Sequence, residues 1–386
     1  MSQARYLLVT DNYLPHVGGS RIYYHHVASM LAPDLAVLTR KRRDSRGFDE
    51  RAGYTIRRVP LLSGPPAWWR SAAELVDCFV LAGHAVRDFP AVQAYLAGDM
   101  ITSAAAAALA ARQKGIPFGV VLHDEPLAGA GKLESRLRRW VFRKAGVIVA
   151  ASSYAARRAR EIAGEGAVIF SAPPGVDTDV FCPGPVDEAV LKRYGVQEKA
   201  YILSVGRLVD YKNISSAIET TAQVREGGLK LVVVGEGPER PALEREAVRL
   251  GLQGKVFFAG GVAREDLVCL YRGALAYVFP SRPARGEQHE GVGMGVLEAA
   301  ACGCVVIAST ATSAEDFVRH GQTGLLFDPG EKDGLTRAVR SVLDSPETMR
   351  TMALEAVAAV RQGFQWGNTA AAVKAALEEI TSKARR

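Results

Sequence analysis

At 386 residues the chain is longer than one ordinary hydrophobic core organises, so two domains are expected. Hydrophobic residues at 48 % and a mean hydropathy of +0.03 fit a soluble globular protein, and no apolar run nears the ~18 residues of a membrane span. Of the net charge of +7, +6 falls in the first 187 residues, without the interleaved aromatics or motifs that would make nucleic acid the partner.

The chain opens "MSQARYLLVTDNYLPH", where five apolar residues before Asp11 read as a strand at 6–10 and not as a signal peptide. "RIYYHHVASML" repeats apolar residues at helical spacing, and "LAVLT" (35–39), "YTIRRV" (54–59) and "FGVVLH" (118–123) read as strands. "TSAAAAALAARQKG" (102–115) reads as a helix with a Thr or Ser cap and a Gly stop. "GVIVAAS" and "AVIFS" extend the series to residue 171. The basic stretches 39–58 and 132–144 lie in this half. They are read either as a solvated surface or as a face for anionic lipid.

"APPGVDTDVFCPGPVDEAV" (172–190) breaks the rhythm and reads as a linker. A second series follows in "AYILSVG" (200–206), "LKLVVVGEG" (229–237), "KVFFAGG" (255–261), "LAYVFPS" (275–281), "CVVIAS" (304–309) and "TGLLFDPG" (323–330), and helical runs close the chain. Strand–helix alternation predicts parallel sheets, and two α/β layers imply a cleft beyond their strand ends. The five cysteines (Cys78, Cys182, Cys269, Cys302, Cys304) show no metal-ligand spacing and fit buried thiols in a reducing cytoplasm.

The loops after strands carry the chemistry. Gly18 and Gly19 precede a helix, where backbone N–H groups can approach a phosphate. His123 ends a strand. Arg207 and Lys212 sit in the loop of "SVGRLVDYKN" and suit a diphosphate, one as a fork and the other as a point charge. "HEGVGMGVLEAAACG" places Glu290 before a glycine-rich turn and Glu298 one turn inside the helix that should begin at Met294 or Gly295. Free N–H groups there can hold a pyrophosphate, and the carboxylates can accept hydroxyls on either side of it. A nucleotide sugar has this layout.

The ordered set "GGSRIYYHHVASML", "HDEP", "PPGVDTDVF", "VGRLVDYKN", "VVVGEGPERPALE", "HEGVGMGVLEAAACG", "TSAEDFVRHGQTGLLF" and the late Trp366 resembles the retaining glycosyltransferases of family 4. The resemblance implies the α/β GT-B fold: two Rossmann-like domains facing across a cleft and a C-terminal helix crossing back to the first. It implies an acceptor-binding domain at 1–185, a nucleotide-sugar-binding domain at 186–363 and the returning helix at 364–386. Glu298 would hold ribose hydroxyls and Glu290 the donor sugar. Arg207 and Lys212 would stabilise the leaving diphosphate with amides of Gly18, Gly19 and the turn Gly291, Val292, Gly293, Met294 and Gly295. His123 would face the donor sugar, and main chain near Gly261 and Val262 would read the base. The family uses no cofactor, and its donor binding needs no metal. The partners implied are a nucleotide-diphosphate sugar and a glycan or lipid-linked acceptor, with a small soluble acceptor such as an aminocyclitol as the alternative. An anionic membrane surface is a further expected partner, for a cytoplasmic protein peripheral to the inner face.

Two departures matter. Val292 stands where the family usually has Phe, and a lengthened "RPARGEQH" (282–289) precedes Glu290. A similar loop in some bacterial mannosyltransferases of the family tilts the donor toward GDP-mannose over UDP-glucose or UDP-N-acetylglucosamine. Three rivals are weaker. A nicotinamide dehydrogenase needs G-x-G-x-x-G after the first strand, which "DNYLPHVGGS" lacks. A pyridoxal-phosphate phosphorylase needs a dedicated lysine and a longer chain, and an inactive relative would lose the four charged residues that are present here.

Overall fold

The computed structural model describes residues 4–15, 18–62, 70–98, 101–123, 132–224, 228–283 and 289–384. Its contacts gather into two units, residues 1–174 with 366–386 and residues 175–365.

The first unit is a seven-stranded parallel sheet ordered β3-β2-β1-β4-β5-β6-β7. Its strands are β1 (Tyr6–Val9), β2 (Leu35–Arg40), β3 (Ile56–Val59), β4 (Ala94–Gly98), β5 (Phe118–Leu122), β6 (Val147–Ala150) and β7 (Ile169–Ser171). The central strands are apolar throughout because helices cover both faces; every residue of β1 is buried. On one face Leu7, Val9, Tyr95 and Val120 meet α3 (Arg70–Asp88), α4 (Ile101–Lys114) and α5 (Lys132–Lys144). α4 is buried nearly all round, which its run of alanines permits at close approach. The expected Thr or Ser cap of this helix is not one. Thr102 and Ser103 lie inside its first turn, and the Ser103 hydroxyl serves the neighbouring β1 loop instead. α1 (Gly19–Met30) and α14 (Trp366–Ala384) pack together in this unit, α14 lying against β4, β5, β6 and β7. Trp366 anchors α14 by stacking on His26, with centroids 4.3 Å apart.

The second unit holds six parallel strands ordered β10-β9-β8-β11-β12-β13: β8 (Tyr201–Val205), β9 (Lys230–Val234), β10 (Val256–Gly260), β11 (Ala276–Phe279), β12 (Val305–Ser309) and β13 (Leu325–Phe327). Residues 175–185, expected with the first domain, belong to this second unit. Val176 bridges Gln365, Phe181 lies in the second unit's core, and Arg272 donates to the Cys182 carbonyl at 2.8 Å. The end of the expected linker already forms helix: α7 runs Glu188–Arg193, capped by Asp187. Backbone bonds from Gly206 to Val234, Leu208 to Glu236 and Gly235 to Gly260 tie together the loops after β8, β9 and β10. That fixes the edge from which the charged residues project. All five cysteines are free thiols, four of them buried. Among the described residues no helix is long and apolar enough to cross a membrane.

Candidate active site

In the second unit the candidate residues collect where β8, β10 and β11 end. α11 spans Met294–Ala301, starting where the glycine-rich turn predicts. Its cap residue, Gly293, has φ +77°, and a Cβ there would lie 2.7 Å from the Phe279 ring. A Cβ on Gly295 would collide with the Tyr277 hydroxyl. The glycines therefore let the turn lie flat on the aromatic residues of β11. The helix start has no side-chain cap and no acid in its first turn, so its N–H groups and dipole face outward unanswered by the helix itself. Val292 is buried in the core, which leaves only main chain to face a ligand at that position.

Glu290, ahead of this turn, is braced by a bridge to Thr312 and by the Ser313 N–H, which donates to its carbonyl at 2.9 Å. Its carboxylate meets Lys212 Nζ at 2.9 Å, with only 17 % and 14 % of the two side chains exposed. Lys212 also lies 5.0 Å over the Phe279 ring. Arg207 is exposed and donates to the Tyr211 hydroxyl at 3.1 Å. Glu298 is half-buried and accepts from the Tyr271 hydroxyl at 2.9 Å. Burial pushes its carboxyl above the usual range, against the pull of Tyr271 and Arg264. Val262, past the end of β10, packs partly into the core, with exposed Gly261 before it.

Gly18, Gly19 and His123 belong to the first unit. Gly18 caps α1 in extended backbone, and α1 likewise has neither a side-chain cap bond nor an acid in its first turn. His123 follows β5 and contacts the Tyr24 hydroxyl through Nε2 at 3.1 Å, with its ring edge-on to Tyr23 and Tyr24. Tyr24, Tyr211, Tyr271 and Phe279 escape sequence reasoning. For the tyrosines the available signal is the phenol, which must find a polar partner when buried; Phe279 carries no such signal.

In the second unit an uncapped helix N-terminus, two cations and two acids on one rim can bind an anion flanked by hydroxyl-bearing groups. A profile of the family described as "Glycosyl transferases group 1" matches residues 188–357, and one described as "Glycosyl transferase 4-like domain" matches residues 18–187. The chain is 30 % identical, over 386 aligned positions, to a GDP-mannose-dependent alpha-(1-6)-phosphatidylinositol monomannoside mannosyltransferase of Mycobacterium tuberculosis, covering 95 % of this chain and 96 % of that one. A 2-deoxystreptamine glucosyltransferase of Streptomyces kanamyceticus is 28 % identical, covering 85 % and 86 %. In fold the chain is similar to Anabaena HepE in complex with UDP, at a TM-score of 0.81 and 20 % identity, covering 97 % and 99 %. The chain belongs to the group 1 glycosyl transferases, as a family 4 glycosyltransferase with the GT-B fold.

Proposed function

We propose that the enzyme is a retaining hexosyltransferase that moves mannose from GDP-mannose to a hydroxyl of a glycan or lipid-linked acceptor. The observation that carries this reading is the Lys212–Glu290 pair at the uncapped start of α11, with Glu298 one turn further on. As the bond from the anomeric carbon to phosphate breaks, charge gathers on the diphosphate. Lys212, Arg207 and the amides of residues 291–295 answer that charge, an electrostatic route that asks for neither metal nor cofactor. Glu290 holds the sugar and Glu298 the ribose, and main chain at Val262 meets the base. The family resemblance assigns phosphate to the amides of Gly18 and Gly19 and the sugar to His123. The name of the M. tuberculosis relative supports both the donor and the lipid-linked acceptor. The name of the S. kanamyceticus relative supports a second reading, transfer of a hexose to a small soluble acceptor such as an aminocyclitol.

A matrix of GDP-mannose, UDP-glucose and UDP-N-acetylglucosamine against phosphatidylinositol monomannoside vesicles and 2-deoxystreptamine tests the choice through release of nucleoside diphosphate. Release is expected to be fastest with GDP-mannose and the lipid. A UDP-sugar with 2-deoxystreptamine as the fastest pair establishes the second reading instead. Transfer is further expected to survive EDTA. Loss in EDTA that manganese restores overturns the metal-free route.

The basic face is proposed to rest on anionic lipid. In 39–58, Arg40 pairs with Asp77, Arg46 with Glu50, Arg57 with Asp88 and Arg58 with Asp49, while Lys41, Arg43 and Arg51 are exposed. α5 presents Arg136, Arg139, Arg143 and Lys144 to solvent and adds exposed Leu137 and Trp140 among them. Binding to phosphatidylserine vesicles is expected to fall steeply with salt, at about 1 kcal/mol per engaged cation. Arg136→Glu with Arg139→Glu is expected to remove most of it. Equal partitioning onto neutral and anionic vesicles would show that α5 is only a solvated surface.

A further inference from the structure

We propose that Asp11 is a hydroxyl-binding residue of the acceptor subsite, an inference that rests on the transfer reading above. The first sheet runs outward from β1 to β2 and β3 on one side, and from β4 to β5, β6 and β7 on the other. The connections leaving β1 and β4 therefore diverge, and a crevice opens beyond their carboxyl ends, the place where open α/β sheets bind ligands. Asp11 is the second residue past β1 and stands at that crevice, on the same edge as His123 past β5. β4 lies between them and ends in Gly98. A Cβ on Gly98 would approach a Tyr24 ring carbon to 2.9 Å and the Thr10 Cβ to 3.1 Å. β4 thus contributes no side chain there. The Tyr24 ring crosses its end instead, and the Tyr24 hydroxyl reaches His123. Two strand spacings put Asp11 and His123 roughly 10 Å apart along the edge.

The loop that carries Asp11 is held in place. Its N–H donates to the Ser103 hydroxyl of α4 at 3.0 Å, and the Thr10 hydroxyl bonds the Asn12 carbonyl at 3.1 Å. The carboxylate itself is poorly served. It is half-buried, and among the described residues its donors are its own backbone N–H and a long contact of 3.4 Å from the Ser103 hydroxyl, which leaves acceptor positions open. Arg40 at the end of β2 lends it only a field, since that guanidinium is engaged with Asp77 and the Leu62 carbonyl. Burial accordingly outweighs Arg40 and raises the carboxyl above its usual range. A carboxylate has about four acceptor positions, and one buried short of donors destabilises the free protein. A sugar or cyclitol hydroxyl supplies the missing donor. The ligand class is therefore a neutral polyol presented by the acceptor, either on a lipid headgroup or free in solution.

The test is Asp11→Asn, which keeps size and shape. Acceptor KM is measured with GDP-mannose against phosphatidylinositol monomannoside vesicles and, separately, 2-deoxystreptamine. Losing a charged acceptor of a hydrogen bond raises acceptor KM by about 10- to 100-fold. Affinity for free GDP is expected to hold, and the melting temperature to hold or rise, because the variant removes a buried charge. Ser103→Ala loosens the loop and is expected to give a smaller rise in the same constant. A rise with the lipid alone, or with the cyclitol alone, identifies the source of the polyol. Wild-type transfer with unchanged acceptor KM in Asp11→Asn overturns this proposal alone, as does a rise matched by an equal loss of GDP affinity. Absence of wild-type transfer from any donor overturns the reading on which the proposal rests.

Discussion

Replacing Lys212 with alanine lowers turnover at saturating donor by about 10²-fold or more, the scale of losing one preorganised donor to a developing anion. The side chain is not an ornament of the loop. It is mostly withdrawn from water, rests over Phe279 and meets Glu290 at 2.9 Å, so its position is set before any donor arrives. A preorganised cation needs little reorganisation as the diphosphate departs, and partial exclusion of water makes its charge count for more. Lys212→Arg keeps the charge but replaces a compact ammonium with a planar fork, so partial activity is expected. Single-turnover kinetics on the three proteins checks this, with melting temperatures to confirm that the fold is kept. Near wild-type turnover in Lys212→Ala would place the charge outside the reaction.

The rim of the second unit was readable because its signals are local. Three glycines before an alanine-rich run fix where α11 begins, and that start fixes Glu290 outside the helix and Glu298 within it. The strand at Ala94–Gly98 went unread, although it is β4 and lies between β1 and β5. "AYLAG" carries little β-propensity, and its strand geometry comes from pairing on both sides and not from its own residues. The partners of the site residues were illegible for a related reason. Tyr24 meets His123 across 99 positions, and Tyr271 meets Glu298 across 27. No spacing rule spans such distances. The lengthened stretch before Glu290 lies mostly outside the described residues, since 284–288 are not among them.

The two glutamates are expected to respond with opposite signs to one ligand, free nucleoside diphosphate. Glu298 is assigned to ribose, which the free diphosphate and the intact donor share, so Glu298→Ala weakens both. The loss of a charged acceptor is about 1.5–3 kcal/mol, or roughly ten- to a hundredfold in affinity. Part of the cost falls on stability, because the fully buried Tyr271 hydroxyl loses its acceptor. Glu298→Gln leaves an acceptor in place and separates the two effects. Glu290 is assigned to the sugar, which the free diphosphate lacks, but in the unliganded protein it holds the ammonium that the diphosphate must recruit. Glu290→Gln removes that competition. Diphosphate affinity is therefore expected to rise, by up to about 1 kcal/mol or roughly fivefold, the scale of a partly exposed ion pair. Transfer falls in the same variant, because the sugar loses the contact that positions its anomeric carbon. Calorimetry with GDP alone on both variants, beside initial rates of transfer, reads both signs. If Glu290→Gln loses diphosphate as badly as Glu298→Ala, the assignment of sugar and ribose to the two ends of the turn is reversed or wrong.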